Sequence, residues 1–261
     1  MLTPPERAHF EREGLLVLRG WSPPNLVIAA REASEEQLIA RRDPLELEVD
    51  VGYPGAPGSR STAGGDTVRR LLRAYERDES FRALGTSGPL GAVLRELMTG
   101  ATGDEAAQPS APVLLVQSHH NCVMTKMPSF SSATHWHQDI RYWSYQRPEL
   151  ISAWFALGSE IEENGCLSFI PGTHRMRFGH EQLDERQFLR TERDDNQMLL
   201  ATRVTPSLAP GDLVLFHCRL FHAAGSNFTT TPKFSLVYTY RAAGNSPLAG
   251  TKSASLADIP I

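Results

Sequence analysis

The 261-residue chain has little of several features that would each announce a class of protein. Its three cysteines (Cys122, Cys166 and Cys218) are an odd number without a CxxC pair, which argues against a disulfide framework and fits free thiols in a reducing compartment. No run approaches the ~20 consecutive apolar residues of a membrane span. The stretch Met1–Glu13 carries acidic residues and no apolar centre, unlike a secretion signal. A formal charge of -4 gives no basic surface for nucleic acid or an anionic membrane. There is no internal repeat, and no GxGxxG or P-loop pattern, so hydride transfer and nucleotide hydrolysis have no support. These absences predict a cytoplasmic protein with no nucleic-acid or membrane partner, and an oligomeric state left open.

What is present is an ordinary globular composition, 41% hydrophobic and 21% charged. The length suits a single domain over 1–261, with a helical part over 1–111 and a strand-rich part over 112–261. In the first part, Thr3-Pro4-Pro5-Glu6 reads as an N-cap with proline in the first turn of a helix to about Arg12. One early strand, Leu15–Leu18, follows Gly14. Further helices are expected from Ser22-Pro23-Pro24 to about Arg42, over Thr67–Tyr75, and over Leu90–Met98. Arg69, Arg73 and Arg77, joined by Arg70, then form an i, i+4 stripe, read as a solvated helix face paired with Glu76 and Glu79 more readily than as an anion site. The glycine- and proline-rich segment Gly52–Gly65 cannot hold regular structure and is a candidate lid. From Pro112 the strands are Val113–Met127, Ile151–Leu157, Leu167–Ile170, Leu213–Phe216 and Phe234–Tyr240, punctuated by the turns Glu163-Asn164-Gly165 and Pro210-Gly211-Asp212. Many short strands with few helices between them imply an antiparallel sandwich or barrel.

The chemistry-bearing run is Thr134-His135-Trp136-His137-Gln138-Asp139. On an extended strand His135, His137 and Asp139 share one face, so two of them can reach one metal while Gln138 points away. A distal histidine is available at His222, with His217 as the competitor in the same segment. Two imidazoles and one carboxylate form the smallest protein ligand set for non-haem iron(II), with coordination positions left open.

The order of motifs resembles the phytanoyl-CoA dioxygenase family of iron(II)/2-oxoglutarate oxygenases. The resemblance covers about Val113 to Arg241. It rests on Trp136–Tyr142, on the run Glu163-Asn164-Gly165-Cys166-Leu167-Ser168-Phe169-Ile170-Pro171-Gly172-Thr173-His174, on the Pro-Gly-Asp turn, and on Lys233 lying eleven residues after His222. The helix-to-strand passage Phe10–Leu18 also looks like the family's entrance.

That resemblance implies a mainly β fold with flanking helices, a double-stranded β-helix (jelly roll, cupin-like) with the helical N-terminal third packed on one sheet. It implies Fe(II), 2-oxoglutarate and O2 as cofactor and cosubstrates, His137, Asp139 and His222 as metal ligands, and no catalytic residue beyond them. Lys233 stands where the family usually has an arginine for the far carboxylate of 2-oxoglutarate, a departure because lysine lacks the planar fork. Arg241 is the alternative anchor. Trp154, Thr134 and Ser226 are expected near the cosubstrate, and His135, Tyr142, Trp143 and Lys126 near the substrate, with His174 close to the site. The implied reaction is hydroxylation of an unactivated C–H bond with release of succinate and CO2, and Asp139 favours that outcome over halogenation. The rival readings are a cupin-like metalloenzyme that dispenses with 2-oxoglutarate and a non-catalytic jelly-roll binding module.

Overall fold

In the computed structural model, residues 1–53, 56–100, 112–128 and 130–261 are described. In chain order the elements are α1 (Pro4–Glu13), β1 (Leu15–Leu18), α2 (Pro24–Ile39), β2 (Leu45–Leu47), β3 (Val68–Leu72), α3 (Ala74–Arg77), α4 (Glu79–Gly85), α5 (Gly88–Gly100), β4 (Val113–Lys126), β5 (Thr134–His137), β6 (Leu150–Ala156), β7 (Leu167–Phe169), α6 (Asp194–Leu200), β8 (Leu213–His217), β9 (His222–Ala224), β10 (Lys233–Ala242) and β11 (Ile259–Pro260). The cap expected at Thr3 is formed with Glu6 as a reciprocal capping box, and Gly14 ends α1 in the left-handed region at φ 79°.

An eight-stranded antiparallel sheet runs β1-β8-β6-β10-β4-β3-β2, with β11 also on β4. A three-stranded sheet, β5-β9-β7, carries the chemistry-bearing run. Strand parity separates two cores. Leu236, Tyr238 and Tyr240 of β10 and Ala153 and Phe155 of β6 face the helices, packing with Phe81, Leu84, Leu90 and Leu94. Val237 of β10 and Trp154 of β6 face the other way, joining Leu167, Phe169, Val214 and Phe216 between the sheets. The polar residues of that second parity, Ser152, Lys233, Ser235 and Thr239, therefore also point into the space between sheets and are buried there. This is the jelly-roll architecture expected of the strand-rich half.

Two expectations for the N-terminal part are corrected. Thr67–Tyr75 is not a helix: Val68–Leu72 is strand β3, paired with β2 and β4, and only Ala74–Arg77 is helical. Strong local helix-formers yielded because the flank of β4 needs a hydrogen-bonded neighbour and Val68 and Leu71 can bury in a strand. The arginine stripe dissolves with the helix. Arg69 is buried on Glu48 at 2.9 Å, Arg77 donates to the carbonyls of Leu72, Arg42 and Pro44, and only Arg73 keeps the expected pairing with Glu76, at 3.8 Å. The N-terminal part also contributes three strands to the large sheet where one was expected. The three cysteines are buried free thiols, and burial pushes Cys218 up to about 12. No helix among the described residues is long and apolar enough to cross a membrane.

Candidate metal centre

Antiparallel register builds the site. His137, the last residue of β5, lies directly opposite His222, the first of β9, and their rings sit 4.3 Å apart centre to centre. Gln138 stays extended (φ −111°, ψ 134°), so Asp139 returns to the side of His137 before a 3-10 turn over Asp139–Tyr142 carries the chain away. Asp139 Oδ1 is 3.7 Å from His137 Nε2 and 3.5 Å from His222 Nε2, and the three ligand atoms lie within 4.8 Å of one another. The expectation of a shared strand face thus holds for His137 and Asp139 although Asp139 itself is not in a strand.

The surroundings orient each ligand. His137 Nδ1 donates to the His135 carbonyl (2.8 Å) and His222 Nδ1 to the Leu220 carbonyl (3.0 Å), so both Nε2 lone pairs face the same point. Ser152 Oγ donates to Asp139 Oδ2 at 3.0 Å, leaving Oδ1 buried with no hydrogen-bond partner. Burial pulls His137 down to about 3, with His222 adding repulsion, so it is a neutral ligand. Burial alone would raise the Asp139 carboxyl, but His120, His222 and His137 around it hold it far below the carboxylate range. A buried, ionised oxygen without a donor, facing two imidazole lone pairs, fits a divalent cation.

The centre opens into a cavity of about 260 Å³. Of the residues proposed from sequence, Lys126, Thr134, Tyr142, Trp143, Trp154 and Lys233 border it. Two other candidates do not. His135 is exposed beside Phe188 and lines a separate surface depression, because the register slips between Thr134 and His137 and turns it outward; its contribution is its carbonyl. Ser226, half-buried just past β9, also lies outside the cavity. His217 packs on His174 (5.3 Å), accepts the Arg219 amide proton and stays out of the ligand set. Arg241 is held by Asp258 at 2.6 Å.

The two lysines differ in a way the sequence did not show. They face each other across β10 and β4, both buried. Lys233 Nζ donates to Glu160 (3.1 Å) and Ser235 (3.1 Å), and Glu160 also accepts from the Trp154 indole (2.9 Å) and from Ser235 (2.6 Å). Among the described residues Lys126 Nζ bonds only carbonyls, those of Ser132 (2.9 Å) and Gly225. Burial, with Arg69 and Lys233 nearby, lowers the Lys126 ammonium well below its usual range. Thr134 accepts from Arg69 at 2.8 Å, so its own proton is free for another acceptor. Sequence reasoning missed Glu160, Glu46, Tyr53, His119 and His120. The only available signal was the adjacent histidine pair between the apolar runs Val113–Val116 and Cys122–Met124 of one strand.

The sequence profile of the phytanoyl-CoA dioxygenase family matches residues 10–235. Ectoine dioxygenase of Sphingopyxis alaskensis is 26% identical over 257 residues, 92% of this chain and 76% of that protein. Human peroxisomal phytanoyl-CoA dioxygenase is 25% identical over 242 residues, 88% of this chain and 65% of that protein, so the chain spans just under two thirds of that relative's length. Among solved structures, the 2-oxoglutarate-dependent epimerase SnoN of nogalamycin biosynthesis has a TM-score of 0.71 at 21% identity, covering 98% of this chain and 91% of its own. EctD from S. alaskensis, solved with 2-oxoglutarate and 5-hydroxyectoine, has a TM-score of 0.71 at 21% identity, covering 95% and 78%. With nearly the whole chain inside the profile, and a His-Asp-His centre between its sheets, the chain belongs to the phytanoyl-CoA dioxygenase family.

Proposed function

We propose that this iron(II)- and 2-oxoglutarate-dependent dioxygenase hydroxylates an unactivated C–H bond of a small molecule, with release of succinate and CO2. The observation that carries the reading is Asp139 Oδ1, a buried carboxylate oxygen with no hydrogen-bond partner, facing the Nε2 atoms of His137 and His222. Those three residues would hold the iron, and iron with O2 and 2-oxoglutarate would supply the oxidising chemistry.

The remaining work belongs to the chain. The His135 and Leu220 carbonyls and the Ser152 hydroxyl fix the three ligands before metal arrives. The distribution of charge supports one position for the cosubstrate. Lys233 is already opposed by Glu160, whereas Lys126 is buried and forms no ion pair among the described residues. Lys126 is therefore the stronger partner for the far carboxylate of 2-oxoglutarate, with Thr134 able to donate beside it and Lys233, ordered by Glu160, forming the adjoining wall. Trp154 acts by its face in that wall, since its N–H is committed to Glu160. Tyr142, Tyr53 and Phe188 cover the exposed side of His137 and exclude water. A reading without 2-oxoglutarate leaves Lys126 buried for no reason.

The test is succinate release by purified protein with iron(II), ascorbate, O2 and 2-oxoglutarate. Uncoupled turnover is expected even without the prime substrate. Protein that holds iron yet neither binds nor consumes 2-oxoglutarate overturns the proposal.

A further inference from the structure

Among the described residues, eight buried side-chain polar atoms find no hydrogen-bond partner, and four of them belong to residues bordering the metal cavity: Glu46 Oε2, Arg69 Nε, His120 Nδ1 and Asp139 Oδ1. Folded interiors pair nearly all such groups, so their concentration in one cavity marks atoms arranged for a polar ligand. Asp139 faces the metal position. Glu46 Oε2, 2.9 Å from Arg70, and His120 Nδ1, 3.6 Å from Asp139 Oδ2, have charged neighbours but no hydrogen bond, so each can still take one from a ligand.

Both lie away from the Lys126 end. Along β4, Met124 is aligned with Arg70 of β3, which is aligned with Glu46 of β2, and His120 lies six residues before Lys126. His120 is put there by an irregularity in β4. Tyr238 of β10 pairs with Asn121 but Thr239 pairs with Val116, so Gln117–His120 are four extra residues, a large bulge of the kind that redirects side chains. The bulge sets His120 Nδ1 3.6 Å from Asp139 Oδ2, with Trp143 edge-on to its ring at 5.5 Å. The C-terminal segment locks the bulge: Ser253 Oγ bonds His119 Nε2 (2.7 Å) and the Ser253 carbonyl accepts from Ser118 (3.0 Å). Its neighbour Lys252 thereby reaches the cavity, with no ion pair among the described residues.

Charge and size then select the ligand. Arg70 stands 2.9 Å from Glu46 Oε2 but off-axis for a hydrogen bond, and both side chains are about one-fifth exposed to the cavity side. This end therefore offers a carboxylate acceptor beside a guanidinium, plus an unopposed ammonium at Lys252. An acyl chain laid here would strip water from three charges and return nothing. A cavity of about 260 Å³, shared with 2-oxoglutarate, also suits a small ligand. Resting on the dioxygenase reading, we infer that the prime substrate is a small amino-acid-like zwitterion, its carboxylate held by Lys252 and its N–H donor by Glu46, which Arg70 orders, with His120 bordering the carbon presented to the metal position.

The test is equilibrium binding to the full chain, loaded with zinc(II) in place of iron and with 2-oxoglutarate, read by ligand-observed NMR. The probes are the free proteinogenic L-amino acids, with decanoyl-CoA as the apolar comparison. At least one amino acid is expected to bind, and Lys252→Glu and Glu46→Gln should each weaken it by about tenfold or more, the scale of a lost charged hydrogen bond. Lys252→Arg should restore affinity. The carboxamide of the same amino acid should bind weakly to the parent protein and be indifferent to Lys252→Glu, the pattern a merely structural lysine would not give. No amino acid binding, decanoyl-CoA binding alone, or affinities insensitive to both substitutions overturns the inference. Binding is read without turnover, so failure of the dioxygenase reading would appear separately, as iron-loaded protein that releases no succinate.

Discussion

At the scale of single residues, the site depends on which groups are left without partners. His137 and His222 spend their Nδ1 protons on backbone carbonyls, and Ser152 occupies the outer oxygen of Asp139, so only metal-facing atoms remain. His137→Ala and His222→Ala are each expected to lose iron, measured as metal per protein after dialysis, while His217→Ala keeps it. Full iron content in His222→Ala would move the third ligand to another residue. The lysine pair gives a second contrast. Lys126→Met should weaken 2-oxoglutarate roughly 10- to 100-fold, the scale of a charged hydrogen bond, without loss of fold. Lys233→Met instead leaves Glu160 buried and unopposed, which costs about 3–5 kcal/mol of stability. Urea unfolding separates the two, and Lys233→Met combined with Glu160→Gln should recover much of that loss. The contrast was not legible in the sequence, because Glu160 and Lys233 are 73 residues apart and only the packed sheets join them.

At the scale of elements, register and turns place the chemistry. The β5–β9 pairing puts two histidines opposite each other, and the turn after Asn164 brings β7 onto β9. Gly165 in that turn has φ 75°, and a Cβ there would lie 2.5 Å from the Gly225 carbonyl oxygen and 3.1 Å from Lys126 Cδ. Gly165→Ala therefore meets a left-handed conformation and a backbone clash together. A loss of about 1–3 kcal/mol is expected, accompanied by weaker 2-oxoglutarate binding through the displaced Lys126, as calorimetry would show. An unchanged melting temperature would mean that the loop yields freely. The segment Gly52–Gly65, expected as a lid, does meet the site in its described part: Tyr53 bonds Tyr142 (3.2 Å), and Arg186 donates to the Gly52 carbonyl (2.8 Å). Residues 54 and 55 lie outside the described residues. β3 was misjudged from sequence because its arginines suit a helix locally, and the need of β4 for a neighbour prevails only once the sheet exists.

At the scale of the whole molecule, burial of imidazoles couples stability to pH. Burial lowers His119 and His217 to about 3 and His120 to about 4, below the unfolded value of about 6.5. Between those limits the unfolded chain binds more protons, so stability present above pH 6.5 is lost as pH falls toward 4, by at most ~1.4 kcal/mol per pH unit for each group. Burial lowers His137, to about 3, and His174 in the same way, so His222, raised by Asp139 against the pull of burial, contributes in the opposite sense as one group against five. Metal-free protein should accordingly melt lower at pH 5 than at pH 7, and an equal melting temperature would show that these histidines are not held neutral by burial.

The sequence by itself determined the fold class, the three metal-binding candidates and the family, because those depend on spacing: alternation along strands, turns of fixed composition, and ligands two residues apart. Tertiary structure alone decided which charges are spent. Glu160 neutralises one lysine and leaves the other, a four-residue bulge swings His120 to within 3.6 Å of Asp139, and β2 and β3 bring Glu46 and Arg70 to the cavity wall. Those outcomes depend on desolvation and on contacts between distant segments. No local pattern encodes them, because a buried charge is defined by what surrounds it in space.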